Sequence, residues 1–192
     1  MVRLVHIVKE VPVPENVEVS IEGKKVTVSG PKGTLTKDFS YARGVMIKYD
    51  PDERRVVVES YFAKRKQKAV TFSIAAHIKN MIDGVTKGFR YRMKIVFTHF
   101  PITVRIDEEN RIVYIENFLG ERKPREARIF GNVKVRLEGR NDVIVEGIDI
   151  EEVGQTAANI ELATKVKDRD PRIFVDGIYI YKREYMEGGE EV

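Results

Sequence analysis

Toward the C-terminus the chain sets out the two kinds of side chain that grip nucleic acid. Lys165, Lys167, Arg169, Arg172, Lys182 and Arg183 supply cations, and Tyr179 and Tyr181 supply flat rings among them. Ammonium and guanidinium groups pair with phosphate, and an exposed ring stacks on an unpaired base, so the chemistry on offer is RNA binding. Arg122-Lys123-Pro124-Arg125, with Arg128, reads as a basic loop between strands. Lys87, Arg90, Arg92 and Lys94 form a third group, the last three alternating onto one side of a strand. Lys64-Arg65-Lys66-Gln67-Lys68 stands at a helix start, where cations oppose the dipole and so point to an anionic partner.

Signals for other chemistry are poor. His6, His77 and His99 are far apart, and none has a metal-ligand partner at helical or strand spacing. Gly30-Pro31-Lys32-Gly33 resembles a phosphate cradle in composition. It is followed by strand-like sequence rather than a helix start, so it reads as a turn. No spacing singles out a pair of carboxylates for acid–base work. The sequence therefore predicts no enzyme, no cofactor, no metal and no small-molecule substrate. It has no cysteine, which excludes disulfides and thiolate metal sites. No stretch approaches the roughly 18 apolar residues of a membrane span, and the expectation is a soluble, cytoplasmic protein. Charge is uneven: residues 1–88 carry 16 Lys/Arg against 10 Asp/Glu, and residues 89–192 carry 18 against 20. Four of the later acids, Glu184, Glu187, Glu190 and Glu191, fall at the very end. One third of all residues are charged with both signs interleaved, a composition that fits a surface of ion-pair networks.

The elements that must hold these groups are written twice. Val45-Met46-Ile47-Lys48 lines up with Val133-Lys134-Val135-Arg136, and Val56-Val57 with Ile144-Val145. Gln67, Ala69, Ile74, Ala75, Ile78 and Lys79 line up with Gln155, Ala157, Leu162, Ala163, Val166 and Lys167. An offset of 88 shared by strands and helix marks a supersecondary unit used twice. The fold class is α+β: two tandem duplicated domains, each a small antiparallel sheet with one helix packed on one face. In the first copy Val17, Val19 and Ile21 alternate into Val26 and Val28. A hairpin over 45–61 follows, and then a helix over 64–82 with Val70, Ile74, Ile78 and Ile82 inward and Gly84 to end it. In the second copy Ile102, Val104 and Ile106 return through Ile112–Ile115, and the helix presents Ala158, Leu162 and Val166. The strand from Tyr91 to Phe97 joins the two. Asp176-Gly177 between β-rich triplets predicts a closing hairpin, which would gather the six late cations at one end. The division expected is 1–86, 87–185 and a frayed acidic tail over 186–192.

Four stretches also resemble a known family. Lys167-Asp168-Arg169-Asp170-Pro171-Arg172-Ile173-Phe174-Val175-Asp176-Gly177-Ile178-Tyr179 resembles the C-terminal signature of the sixth large-subunit ribosomal protein family, in its archaeal and eukaryotic branch. His99-Phe100-Pro101-Ile102 and Asn117-Phe118-Leu119-Gly120-Glu121 resemble two further signatures of that branch. Val153-Gly154-Gln155-Thr156-Ala157-Ala158 resembles a motif shared with bacterial members. The resemblance covers nearly the whole chain and implies a non-enzymatic protein of two duplicated domains. Its expected partners are large-subunit rRNA and neighbouring ribosomal proteins. Binding would run through the second domain, near the sarcin-ricin region and the surface where translation factors dock. The contacts implied are Lys165, Lys167, Arg169, Arg172, Lys182 and Arg183, with Gln155, Arg122, Lys123 and Arg125 as further candidates. Bacterial members carry a glycine- and lysine-rich run where this chain has Arg172–Gly177, so individual phosphate contacts shift. Two other classes stand beside this reading. A protein-interaction module would use sheet faces or edges and keep its partner after nuclease treatment. A small enzyme would need a pocket with convergent titratable groups.

Overall fold

The computed structural model describes residues 4–167, 169, 170 and 172–192, and Asp168 and Pro171 of the C-terminal signature lie outside them. The chain divides into two units, Met1–Lys87 and Gly88–Val192. The first contains β1 (Leu4–Pro12), β2 (Glu18–Glu22), β3 (Lys25–Gly30), β4 (Gly33–Asp38), β5 (Met46–Asp50), β6 (Arg55–Ala63) and α1 (Arg65–Thr86). Its strands form two antiparallel sheets, ordered β1-β6-β5 and β2-β3-β4. Alternating Val26 and Val28 point inward from β3, and Val56 and Val58 from β6. Helix α1 closes this core with Ile74, Ala75, Ile78, Met81, Ile82 and Val85. The helix runs past Gly84, which is buried inside it, and ends where Gly88 takes a left-handed φ of 69°. Gly84 thus lies inside the helix rather than ending it. Pro31 and Lys32 form the tight turn between β3 and β4. There Gly30 lies so close to α1 that a Cβ on it would stand 2.7 Å from Val85 Cγ2.

The second unit contains β7 (Phe89–Val96), β8 (Thr103–Asp107), β9 (Ile112–Glu116), β10 (Arg125–Arg128), β11 (Lys134–Glu138), β12 (Asp142–Gly147), α2 (Ile150–Ala163) and β13 (Gly177–Tyr185). Its sheets are ordered β11-β12-β7-β13 and β10-β9-β8. The strand expected to join the copies is thus β7, an interior strand of this sheet. Helix α2 starts on Asp149, whose carboxylate accepts from the Glu151 N–H at 2.9 Å, with Glu151 and Glu152 in the first turn. It buries Val153, Thr156, Ala157 and Ile160. This is the spacing of Thr71, Ile74, Ala75 and Ile78, six residues earlier than the constant offset places it, with Ala157 rather than Ala163 answering Ala75. The expected face therefore fails: Leu162 is 63% exposed. Strand β12 has six residues against nine in β6, so α2 starts earlier against the offset and the helical register shifts while the face is preserved.

Two expectations about the C-terminal segment are also corrected. No hairpin forms at Asp176-Gly177. Gly177 has no left-handed φ, the Asp176 side chain is buried, and residues 173–176 lie outside the sheet while β13 pairs with β7 from Gly177↔Val96 to Tyr185↔Phe89. The acidic tail turns back on β13 rather than fraying. The Tyr185 N–H donates to Glu190 O at 2.9 Å, and Glu184 and Glu191 form a bridge.

Candidate nucleic-acid interface

Helix α2 ends against a loop that the family-like motif 117–121 shapes. Asn117, Leu119 and Gly120 all have left-handed φ, of 58°, 50° and 79°. That conformation is costly for an asparagine and more so for a leucine. The turn buries Phe118 fully and delivers Glu121 to Arg125. Arg125 forks onto that carboxylate, at 2.8 and 2.6 Å, and its Nη1 donates to the carbonyls of Ala163 and Lys165 at 2.9 and 3.0 Å. Its guanidinium also lies 4.2 Å from the Phe118 ring centroid. Arg125 thus caps α2 and ties the 121–125 loop to the segment after the helix. Its hydrogen bonds are turned inward, so the structure gives it a positioning role. The same contacts hold the Glu121 carboxyl below its ordinary range: Arg125 dominates, and Arg169 and Lys167 add to it through space.

That tie joins the loop carrying Arg122 and Lys123 to the segment carrying Lys165 and Lys167. Arg122, Lys123, Lys165 and Lys167 are exposed, and none makes a side-chain hydrogen bond or ion pair among the described residues. Arg169 stacks 4.7 Å from the Phe174 centroid, and Phe174 stacks in turn on His99, with centroids 4.6 Å apart. Arg172 projects to solvent and meets Asp170 at 3.4 Å. Gln155 stands two turns back along α2, exposed and donating to Asn159 Oδ1 at 2.9 Å.

The segment carrying Arg169 and Arg172 is anchored at Asp176. One carboxylate oxygen accepts from the backbone N–H groups of Thr98 and His99 at 2.9 and 3.2 Å. The other accepts from Thr98 Oγ1 and His99 Nδ1 at 3.0 and 2.8 Å. Burial alone would raise this carboxyl, but the His99 ring, the two backbone donors and the Thr98 hydroxyl outweigh it and hold it far below the usual range. The sequence showed His99 and Asp-Gly as separate turns. Their pairing spans 77 residues, and no local pattern signals it.

Lys182 and Arg183 do not join the array. Because β13 is a strand running away from α2, they stand about 17 Å beyond its start. Lys182 pairs with Glu184 at 2.6 Å, and Arg183 lies over the Tyr91 ring at 5.5 Å. Arg90, Arg92 and Lys94 are likewise engaged. Arg90 meets Glu146 at 2.5 Å, Arg92 meets Glu184 at 2.6 Å and Glu138 at 2.9 Å, and Lys94 meets Asp142 at 2.9 Å. Burial pushes Glu184 up, yet Lys182 and Arg92 pull it down to about 2. Flanked in register by Arg92 and Arg136, Ile144 is fully buried beneath this network. Most of the cations named here thus fall into two sets, one neutralised on the sheet and one left open behind α2.

Comparison with known proteins agrees with the division into two units. A family model described as Ribosomal protein L6 matches twice, over residues 13–88 and 100–177. The chain is 59% identical over 186 residues to the large ribosomal subunit protein uL6 of Aeropyrum pernix, covering 97% of this chain and 100% of that one. It is 57% identical over 183 residues to the uL6 of Desulfurococcus amylolyticus, covering 95% and 98%. Against the uL6 of Saccharolobus solfataricus it is 48% identical over 185 residues, covering 96% and 99%.

Proposed function

The chain belongs to the ribosomal protein L6 family, and from that premise we propose that it is a structural constituent of the large ribosomal subunit, binding large-subunit rRNA through its second unit. The observation that carries the site is the open set of cations behind α2. Lys165, Lys167, Arg122 and Lys123 make no ion pair among the described residues, while the sheet face of the same unit is neutralised. Arg169 and Arg172 extend the set along the anchored 169–176 segment. Lys182, Arg183 and Gln155 are outlying contacts, and Arg125 holds the loop in place. Fixing the cations before RNA arrives removes most of the ordering cost of binding. They meet phosphates and 2′-hydroxyls of an A-form helix, whose deep groove bars side chains from the bases. The contact lies near the sarcin-ricin region and the translation-factor surface, with ribosomal proteins as neighbours, in the cytoplasmic ribosome. The role is scaffolding rather than catalysis.

Filter binding of the full chain to the rRNA fragment spanning that region tests this. Affinity should fall steeply with salt, and Lys165→Glu with Lys167→Glu should flatten the log–log slope by about 1.8, roughly 0.9 per phosphate contact. An unchanged affinity and slope in that variant refutes the site. A co-purifying partner that survives nuclease would favour the protein-interaction reading instead.

A further inference from the structure

The first unit carries an open cationic face of its own. Strand β1 is the edge of its sheet, and α1 packs against β1 and β6. Ile7 and Val11 of β1 point into the core, and Lys9, between them at the same parity, emerges on the helix side of the edge. On α1, Arg65, Lys68, Phe72, Ala76 and Lys79 fall at steps of three and four, and all are exposed. Lys9 Nζ and Lys68 Nζ lie 4.8 and 5.8 Å from the centroid of the Phe72 ring, which is itself 40% exposed.

Two ammonium groups therefore share one ring, and no carboxylate is paired with either among the described residues. Each gains from the ring's negative face, but their mutual repulsion is left for something else to relieve. Several other cations of this unit are engaged by the protein itself. Lys48 pairs with Glu59 at 2.8 Å, Arg55 pairs with Glu10 and Glu53 at 2.9 and 2.8 Å, and Arg54 donates to the Pro14 and Glu15 carbonyls. Lys9, Arg65, Lys68 and Lys79 have no ion pair among the described residues. The stripe from Arg65 to Lys79 is about 21 Å long at the helical rise, enough to follow several consecutive phosphates. Just before the helix, Phe62 is held at a φ of 49° with its ring 64% exposed. A left-handed residue of this kind costs about 1–2 kcal/mol, and here the cost is met without burying the ring.

We propose that the edge strand β1 and the outer stripe of α1 form a second RNA-binding surface, on which Lys9, Arg65, Lys68 and Lys79 hold the phosphates of a single-stranded or looped segment around Phe72. A ring among unpaired cations suits a strand with exposed bases, because every base has a face that stacks. An acidic polypeptide would use the charges and leave the ring idle. The surface is separate from the one behind α2 and does not rest on it.

The test uses the full chain already carrying Lys165→Glu and Lys167→Glu, so that the second unit's array is weakened, and a fluorescein-labelled oligouridylate of about twelve nucleotides. This protein should still bind. Adding Lys68→Glu and Lys79→Glu should weaken binding about tenfold or more and flatten its salt slope by about 1.4, roughly 0.7 per single-strand phosphate contact. Phe72→Leu should weaken binding with the slope unchanged. In the wild-type chain, 4-thiouridine in the same oligonucleotide should crosslink to peptides of β1 and α1. The proposal is overturned by unchanged affinity and slope in the Lys68/Lys79 variant, by crosslinks confined to Gly88–Val192, or by polyglutamate competing as well as the oligonucleotide. The reading of the second unit fails on a different result, an unchanged slope with the rRNA fragment in the Lys165/Lys167 variant.

Discussion

Replacing Asp176 by asparagine probes the buried anchor beneath the rRNA-binding segment with almost no change of shape. The carboxylate accepts four hydrogen bonds, and bonds to a buried charge are each worth about 1.5–3 kcal/mol. Asparagine keeps one acceptor oxygen, which serves the Thr98 and His99 N–H groups as a neutral partner. It places an NH2 where the Thr98 hydroxyl and the His99 ring now donate, so both must reverse their roles. The net cost should be about 2–4 kcal/mol. At roughly 2–4 °C per kcal/mol for a chain of this size, the melting temperature should drop by about 6–12 °C for a mid-range loss. Thermal unfolding followed by circular dichroism reads the drop, and hydrogen exchange at the Thr98 and His99 amides locates it. The effect also has a pH signature. The native carboxyl is depressed below the ordinary 3.8, so its stabilisation is complete above about pH 4–5 and is lost as the pH falls. The gap between wild type and Asp176→Asn should therefore narrow progressively as the pH falls below about 4. A loss under about 1 kcal/mol at pH 7, or a gap that stays constant with pH, refutes the anchor argument.

Three further outcomes follow from the same geometry. Glu184→Gln should cost about 3 kcal/mol at neutral pH, from a carboxyl lowered from 4.5 to about 2 at 1.36 kcal/mol per unit; the loss, read by urea denaturation, should fade below pH 4.5. Arg125→Lys should cost about 2 kcal/mol, because an ammonium cannot fork onto Glu121 while reaching two carbonyls. It should also weaken rRNA binding through a loosened loop, whereas Arg122→Ala should weaken binding with no change in the denaturation midpoint. Gly30→Ala should destabilise by about 1–3 kcal/mol, since its Cβ would press on Val85 Cγ2 at 2.7 Å; a denaturation midpoint equal to wild type would show that the β3–α1 contact yields.

Much of the architecture was legible because it rests on periodicity. Alternation in Val26–Val28 and Val104–Ile106, and helical spacing through Ile74 and Ile78, report burial directly. The second helix misled because identity at a constant offset aligned residues rather than faces, and a shorter preceding strand, β12, moved the face to Val153, Thr156, Ala157 and Ile160. The Asp-Gly signal failed for a different reason. A local turn preference worth little on its own competed with four hydrogen bonds to Asp176 from a segment far away in sequence. Positive charge was easy to see and its availability was not. Arg125, Lys182, Arg90 and Arg92 read like Lys165 in one dimension, and only their partners in space separate them.

That separation carries the functional argument. A chain with 34 basic and 30 acidic side chains could pair nearly all of them, and on the outer face of β7, β12 and β13 it does so with carboxylates depressed by their neighbours. Leaving Lys165, Lys167, Arg122 and Lys123 unpaired in the same unit is then a property of their placement rather than of composition. Each stands beyond a helix end or on a loop tip, out of reach of the acidic strands, and Arg125 engages the Glu121 carboxylate. Freeing Glu121 tests this directly. In Arg125→Ala the carboxylate should turn to Lys167 or Arg169, which already lower it through space. Binding to the rRNA fragment should weaken, and its salt slope should flatten by about 0.9 as one cation is withdrawn from phosphate. A steeper slope in that variant would mean that the open cations owe nothing to the Glu121–Arg125 pair.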